Sequence, residues 1–295
     1  MNLMSRYRRT LLLAAGLALS GAFFQAAAAT DTLTAQLAEL ERSANGRLGV
    51  ALIDTGSQRE ITYRGEERFA MASTFKVLAV GAVLQRSVTQ PDLLAKRIRY
   101  DRAALQTYSP VTGKQLAKGM TLAELSAAAI EWSDNTAANL LLTELGGPQS
   151  ITHLARSLKD DKTRLDRWEP ELNTAIPGDE RDTSTPRAMA HNLQHLALGD
   201  ALPQAQQQQL IGWLKNSQTG AKSIRAGVPA GWTVGDKTGS GDYGTTNDLA
   251  IIWPPHGKPL LLAIYFTQPK ADAEARRDVL ATATRLVLTS ITAAH

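Results

Sequence analysis

Apolar positions along the chain recur at two spacings, and the spacing changes twice. Residues 31–43 put Leu33, Leu37 and Leu40 on one face of a helix. Two short apolar runs follow, 48–53 and 61–63, flanking a turn at Thr55-Gly56-Ser57, and these predict strands. From Ser73 the period becomes helical, with Lys76, Val77, Val80, Val83 and Leu84 recurring through Gln85. Most of the chain from there to about Asn216 reads helical, including 122–130, 135–145 and 186–198. One long irregular stretch, 161–185, interrupts it. Strand-like apolar runs return at 249–253 and 260–266. A last amphipathic helix aligns Val279, Leu280, Ala283, Leu286 and Val287.

Strands near both ends with helices between them predict an α/β fold: an antiparallel sheet flanked by helices, closed by the two termini, plus an all-helical lobe. The expected division is 30–66 with 217–295 for the discontinuous α/β lobe and 67–216 for the helical lobe. A cleft between two such lobes is a natural ligand site.

Residues 1–29 stand apart from this pattern. Arg6, Arg8 and Arg9 precede an apolar run from Leu11 to Phe24 and a small-residue stretch, Ala26 to Ala29. That is the layout of a secretory signal peptide, with a run too short to serve as a membrane anchor. Arg8 and Arg9 also fit a twin-arginine signal, so the export route stays open. Its removal predicts a periplasmic or secreted protein without stable membrane association. The chain holds 32 Lys+Arg against 28 Asp+Glu. Three of those arginines lie in the leader, so the remainder is close to neutral and gives no reason to expect nucleic acid as a partner. With no cysteine there is neither a disulfide framework nor a lipid attachment site. Nothing in the sequence requires more than a monomer.

Three short motifs carry chemistry. In Ser73-Thr74-Phe75-Lys76, a helix would put the lysine on the same face as the serine hydroxyl. Backbone N–H groups at the helix start would favour negative charge developing on whatever bonds to Ser73. Such a pair can activate a nucleophile without histidine. Alone it carries little weight, since Ser-x-x-Lys arises by chance roughly once in a chain of this length. Ser133-Asp134-Asn135 reads equally well as an ordinary helix cap. Lys237-Thr238-Gly239 on a strand edge would offer a cation and a hydroxyl to a substrate carboxylate, with Gly239 allowing close backbone approach.

In that order the three form the motif set of class A β-lactamases and penicillin-binding proteins. The sequence resembles class A serine β-lactamases over nearly the whole chain after the leader. The likeness is closest to the cefotaxime-hydrolysing, extended-spectrum group, through the run from Asp236 to Asp248. The resemblance implies the two-lobed fold shared with DD-peptidases. It also implies an Ω-loop over about 164–182, carrying Arg167-Trp168-Glu169-Pro170-Glu171-Leu172-Asn173 and pinned by an Arg167–Asp182 ion pair. It further implies hydrolysis of penicillins and cephalosporins through an acyl-enzyme on Ser73. Lys76, Glu169 through a water, or both would take the serine proton, Ser133 would protonate the leaving nitrogen, and Glu169 with Asn173 would hold the deacylating water. The backbone N–H groups of Ser73 and Ser240 would form the oxyanion hole. Asn135 would bond the substrate side chain and Tyr108 would wall the cleft. Lys237 and Thr238 would take the ring carboxylate, while Ser240, Asp242 and Arg277 map to positions linked with oxyimino-cephalosporins. Neither cofactor nor metal is implied. Thr107 departs from the asparagine common beside the aromatic wall, and Ala72 stands where carbapenem-hydrolysing relatives carry a cysteine.

Three rival readings remain. A DD-peptidase shares the first three motifs but lacks the loop glutamate. A β-lactam sensor domain would stay acylated and needs an anchor that the sequence does not contain. A zinc hydrolase finds only His191 and His195, four apart on a predicted helix with no third ligand, so a solvated pair is the plainer account.

Overall fold

A computed structural model describes residues 32–292; the signal-like leader lies outside the described residues. Five strands form one antiparallel sheet in the order β2-β1-β9-β8-β7, built from β1 (Arg47–Asp54), β2 (Arg59–Tyr63), β7 (Thr233–Gly241), β8 (Thr245–Trp253) and β9 (Leu260–Thr267). Both faces of the central strands are covered, which is why β1 and β9 read as continuous apolar runs. Leu48, Val50 and Leu52 join Leu262 and Ile264 on the face that packs with helix α1 (32–43), the short helix α8 (Ile224–Gly227) and helix α9 (Arg277–Thr292). Ala51, Ile53, Leu261, Ala263 and Tyr265 face the helical side instead.

The helical side is built from α2 (Lys76–Thr89), α3 (Leu122–Glu131), α4 (Asn135–Leu145), α5 (Gln149–Ser157), α6 (Pro186–Ala197) and α7 (Gln204–Lys215). Helix α2 runs through its centre, touching α3, α4, α5, α6 and α7. A central helix must be apolar all round, and Val77, Leu78, Val80, Val83 and Leu84 are all buried. The architecture is the predicted α/β sheet with a helical lobe beside it.

Four details differ from the pattern-based reading. A second irregular stretch, 90–121, also interrupts the helices and holds a short strand β4 (Arg97–Ile98) paired with β5 (Met120–Thr121). Helix α2 continues past Gln85 to Thr89. Strand β8 starts at Thr245, since its polar first half, Thr245 to Asp248, is buried as fully as its apolar second half. The irregular stretch contains a 3₁₀ turn, Glu171–Asn173, and ends on a short strand β6 (Thr183–Ser184) paired with β3 (Phe69–Ala70). That pairing positions the site, because β3 leads directly into the 3₁₀ turn Ala72–Phe75 at the head of α2.

His191 is also not simply solvated: its Nε2 lies 2.8 Å from Glu60 Oε1. Among the described residues no helix is long and apolar enough to cross a membrane.

Candidate active site

Ser73 sits in the 3₁₀ turn one residue after Ala72, whose φ of 44° is left-handed and strained for a residue with a side chain. The bend is held from both sides. Met71 N donates to Asp182 O at 2.9 Å, and Asn247 Nδ2 donates to Ala70 O and Met71 O at 2.8 and 3.1 Å. One residue on, Thr74 Oγ1 bonds both Met71 O and the Tyr265 hydroxyl, each at 2.8 Å.

Lys76, one turn along, is wholly buried. Its Nζ donates to Asn135 Oδ1 at 2.7 Å and Ser133 O at 2.8 Å, lies 3.5 Å from Ser133 Oγ, and stands 3.0 Å from Glu169 Oε1. Ser73 Oγ is 3.3 Å from the same carboxylate oxygen. Burial pushes the Lys76 amine below the ordinary lysine range, while the Glu169 carboxylate pulls it back up.

Ser133-Asp134-Asn135 opens a helix and also brings two side chains to the site. Asp134 caps α4, accepting from Ala137 N, and also accepts from Val111 N and Thr112 N, which ties down the loop after Tyr108. Ser133, at φ 59°, lies outside the helix with its hydroxyl 3.0 Å from Lys237 Nζ. Lys237 is buried, and its amine is pushed down to about 7, first by burial and then by the nearby Lys76 cation.

Glu169 is held at its backbone. Asn139 on α4 donates from Nδ2 to Glu169 O at 2.8 Å and accepts from Glu169 N at 3.0 Å. Asn173 Nδ2 donates to Glu169 Oε2, whereas Asn173 Oδ1 is buried and accepts no hydrogen bond from any described residue. The loop is closed at its neck by Asp182. This buried carboxylate accepts from Asp166 N and Arg167 N at 2.8 and 2.9 Å and from Arg167 Nε at 2.5 Å. Sealed in this way, the pair serves loop closure more than an exposed ion pair would.

Gly239 explains how the sheet edge meets Ser73. A Cβ there would fall 2.9 Å from Met71 O and 3.2 Å from Ser73 N, so only glycine lets β7 come this close. The cleft above, about 320 Å³, is lined by Ser73, Tyr108, Ser133, Asn135, Asn173, Thr238, Gly239, Ser240 and Arg277, with Lys76, Glu169 and Lys237 buried beneath. Asp242 is not among the lining residues; it is exposed, and its N–H donates to Asn173 O at 2.9 Å. The motifs gave no warning of Asn139 or Asn247, or of Thr219, which also lines the cleft and bonds Thr238 hydroxyl to hydroxyl at 2.6 Å. The sequence signal for Thr219 was at most the cluster of small polar residues before Lys237.

A buried lysine and carboxylate converge on a serine under a hydroxyl-lined cleft, an arrangement suited to hydrolysis. Comparison with known proteins agrees. A family model described as the β-lactamase enzyme family matches residues 32–291. The chain is 55% identical over 286 residues to β-lactamase OXY-2 of Klebsiella oxytoca, covering 96% of this chain and 98% of that one. It is 57% identical over 252 residues to β-lactamase CTX-M-8 of Citrobacter amalonaticus, covering 85% and 87%. Among solved structures it superposes with a TM-score of 0.85 on a class A β-lactamase described as the last common ancestor of Gram-negative bacteria, at 56% identity, covering 88% of this chain and 99% of that one. The chain belongs to the class A β-lactamases, and is a hydrolase.

Proposed function

We propose that the protein hydrolyses the β-lactam amide of penicillins and cephalosporins, oxyimino-cephalosporins included, through an acyl-enzyme on Ser73. One observation carries this reading: Ser73 Oγ, at the floor of the cleft, and the buried Lys76 Nζ both converge on Glu169 Oε1, at 3.3 and 3.0 Å. Ser73 Oγ attacks the lactam carbonyl carbon and loses its proton to Lys76 or, through a water, to Glu169. Burial lowers the affinity of Lys76 for its proton, which suits it to exchange one with Ser73. The carbonyl oxygen takes up charge against the N–H groups of Ser73 and Ser240. As the C–N bond breaks, Ser133, hydrogen-bonded between Lys76 and Lys237, passes a proton to the nitrogen.

In deacylation, Glu169 takes a proton from a water whose hydroxide attacks the ester, and Ser73 recovers its proton as the ester bond breaks. The unpartnered Asn173 Oδ1 is an acceptor fit to hold that water. Asn135 binds the substrate's amide side chain, Lys237 and Thr238 its carboxylate, and Tyr108 packs against it. Arg277 reaches the cleft, while Asp242 acts through its backbone contact with the Ω-loop. No step calls for a cofactor or metal.

The working unit is proposed as a monomer of two lobes, 30–66 with 217–295 and 67–216, exported after loss of residues 1–29. Intact mass with a slowly released cephalosporin tests the nucleophile. The adduct belongs on the peptide holding Ser73 and disappears in Ser73→Ala; an adduct mapped elsewhere defeats the assignment. Steady-state rates test the preference, with kcat/KM on cefotaxime well above that on imipenem. Equal values overturn the preference alone.

A further inference from the structure

Behind the cleft lies more buried charge than the proposed reaction uses. Thr238 on β7 pairs with Asp248 on β8, and Asp236 pairs with Ala250, so Asp236 and Asp248 are diagonal neighbours on one face of the sheet. Neighbours in that relation lie within about 7–8 Å. Both carboxyl groups are wholly buried.

Their surroundings differ. Asp236 accepts from Arg225 Nε and, at 3.2 Å, from Ser217 Oγ. The carboxylate is pressed so closely on Gly220 that a Cβ there would sit 2.0 Å from Oδ2. Asp248 receives only Ile224 N, at 3.0 Å on Oδ2, and its Oδ1 makes no hydrogen bond to any described residue. One guanidinium thus serves two buried carboxyl groups. A second bare carboxylate would be desolvated beside a like charge, with no ion pair of its own among the described residues.

Lys237, adjacent to Asp236 on β7, points to the opposite face, towards Ser133. The charges acting on it are Lys76, which opposes its own, and Asp236, Asp248 and Glu169, which favour it. Of the carboxylates Asp236 acts most strongly, and a protonated Asp248 drops out.

We propose that Asp236 is a positioning residue acting through Lys237: Asp248 keeps its proton, the pair carries a single negative charge on Asp236, and that charge keeps Lys237 cationic for the substrate carboxylate. The last clause rests on the proposed role of Lys237 in binding that carboxylate. Burial and the neighbouring Asp236 both push the Asp248 carboxyl well above the usual range, in keeping with the geometry. Removing the Asp236 charge would also leave Arg225 unneutralised, which weakens the Lys237 cation further.

The test is a titration of the Lys237 Nζ by NMR with labelled lysine, the signal assigned by its loss in Lys237→Arg. Asp248→Asn copies the protonated acid and should titrate with the wild type. Asp236→Asn should shift the midpoint down by about one pH unit or more. The alkaline fall of kcat/KM on a cephalosporin should move with it, leaving kcat nearly constant. An unmoved Lys237 in Asp236→Asn, or an equal shift in Asp248→Asn, overturns the inference. If Lys237 shifts but kcat/KM does not follow, the role of Asp236 stands and Lys237 loses its assignment as the carboxylate's partner. Should Asp236→Asn fail to fold, carboxyl ¹³C titration of the wild type decides. Asp248 must remain protonated at pH 7, and an ionised Asp248 there refutes the proposal.

Discussion

Lys76 Nζ and Glu169 Oε1 stand 3.0 Å apart, and neither side chain reaches solvent. One comes from the head of α2 and the other from the Ω-loop, so formation of α2 alone does not assemble them. Burial works against both charges, and the pair persists because each has further polar partners. Asn135 and Ser133 serve Lys76, and Asn173 serves Glu169. On the proposed mechanism the loop is part of the reaction centre, and its supports should matter to the rate.

Asn139 is the most direct such support, since it bonds both backbone groups of Glu169. In Asn139→Ala the glutamate keeps its identity and loses its placement. A misplacement of about 1 Å costs on the order of a hundredfold in rate. Stopped-flow kinetics should find deacylation slowed by about ten- to a hundredfold and acylation affected less. Equal slowing of both steps would show that Asn139 supports the fold in general.

Gly239→Ala tests the sheet edge. The new methyl must displace either β7 or the turn before Ser73, and both carry the N–H groups assigned to the oxyanion hole. Loss of one such donor costs about a hundred- to a thousandfold in kcat. The expected result is a fall in kcat of that order with a cooperative thermal melt retained. A variant with wild-type kcat would place the oxyanion site elsewhere.

The Lys237 cation makes stability depend on pH. With its folded value lowered to about 7, the folded protein bears the full burden of a buried charge below that pH. Between there and the ordinary lysine range, near 10.5, the unfolded chain binds more protons, so this group adds stability as pH rises. Thermal melts of wild type and Lys237→Met across that window should converge: the variant is the more stable at pH 6, and its advantage shrinks towards pH 10. A constant difference would mean that Lys237 titrates normally in the fold.

Much of the site was legible because its motifs are local. Ser73 and Lys76 share a helix face, and three residues suffice to state that. Ser133 and Asp134 carried two meanings that the sequence could not separate; the left-handed backbone at Ser133 lets the chain serve both. Hydrophobic patterning failed where polar residues are buried. The segment Thr245 to Asp248 lies inside the sheet, with Asn247 anchoring the segment before Ser73 and Asp248 facing the core, yet its polar residues carry no strand pattern and the predicted run began only at Leu249. Asn139 was invisible for another reason. It is one polar position on an amphipathic helix, and only the return of the Ω-loop over α4 gives it a function.

Glu169→Ala is the sharpest test of the account. Lys76 remains to accept the Ser73 proton, so acylation should stay measurable, whereas the group proposed to activate water for ester hydrolysis is gone. A general base contributes about a hundred- to ten-thousandfold. Mixing the variant with a cephalosporin should give a burst of one equivalent, then a nearly flat phase, with intact mass finding the acyl adduct on Ser73. Turnover at the wild-type steady rate with no adduct would contradict the account and remove Glu169 from the reaction.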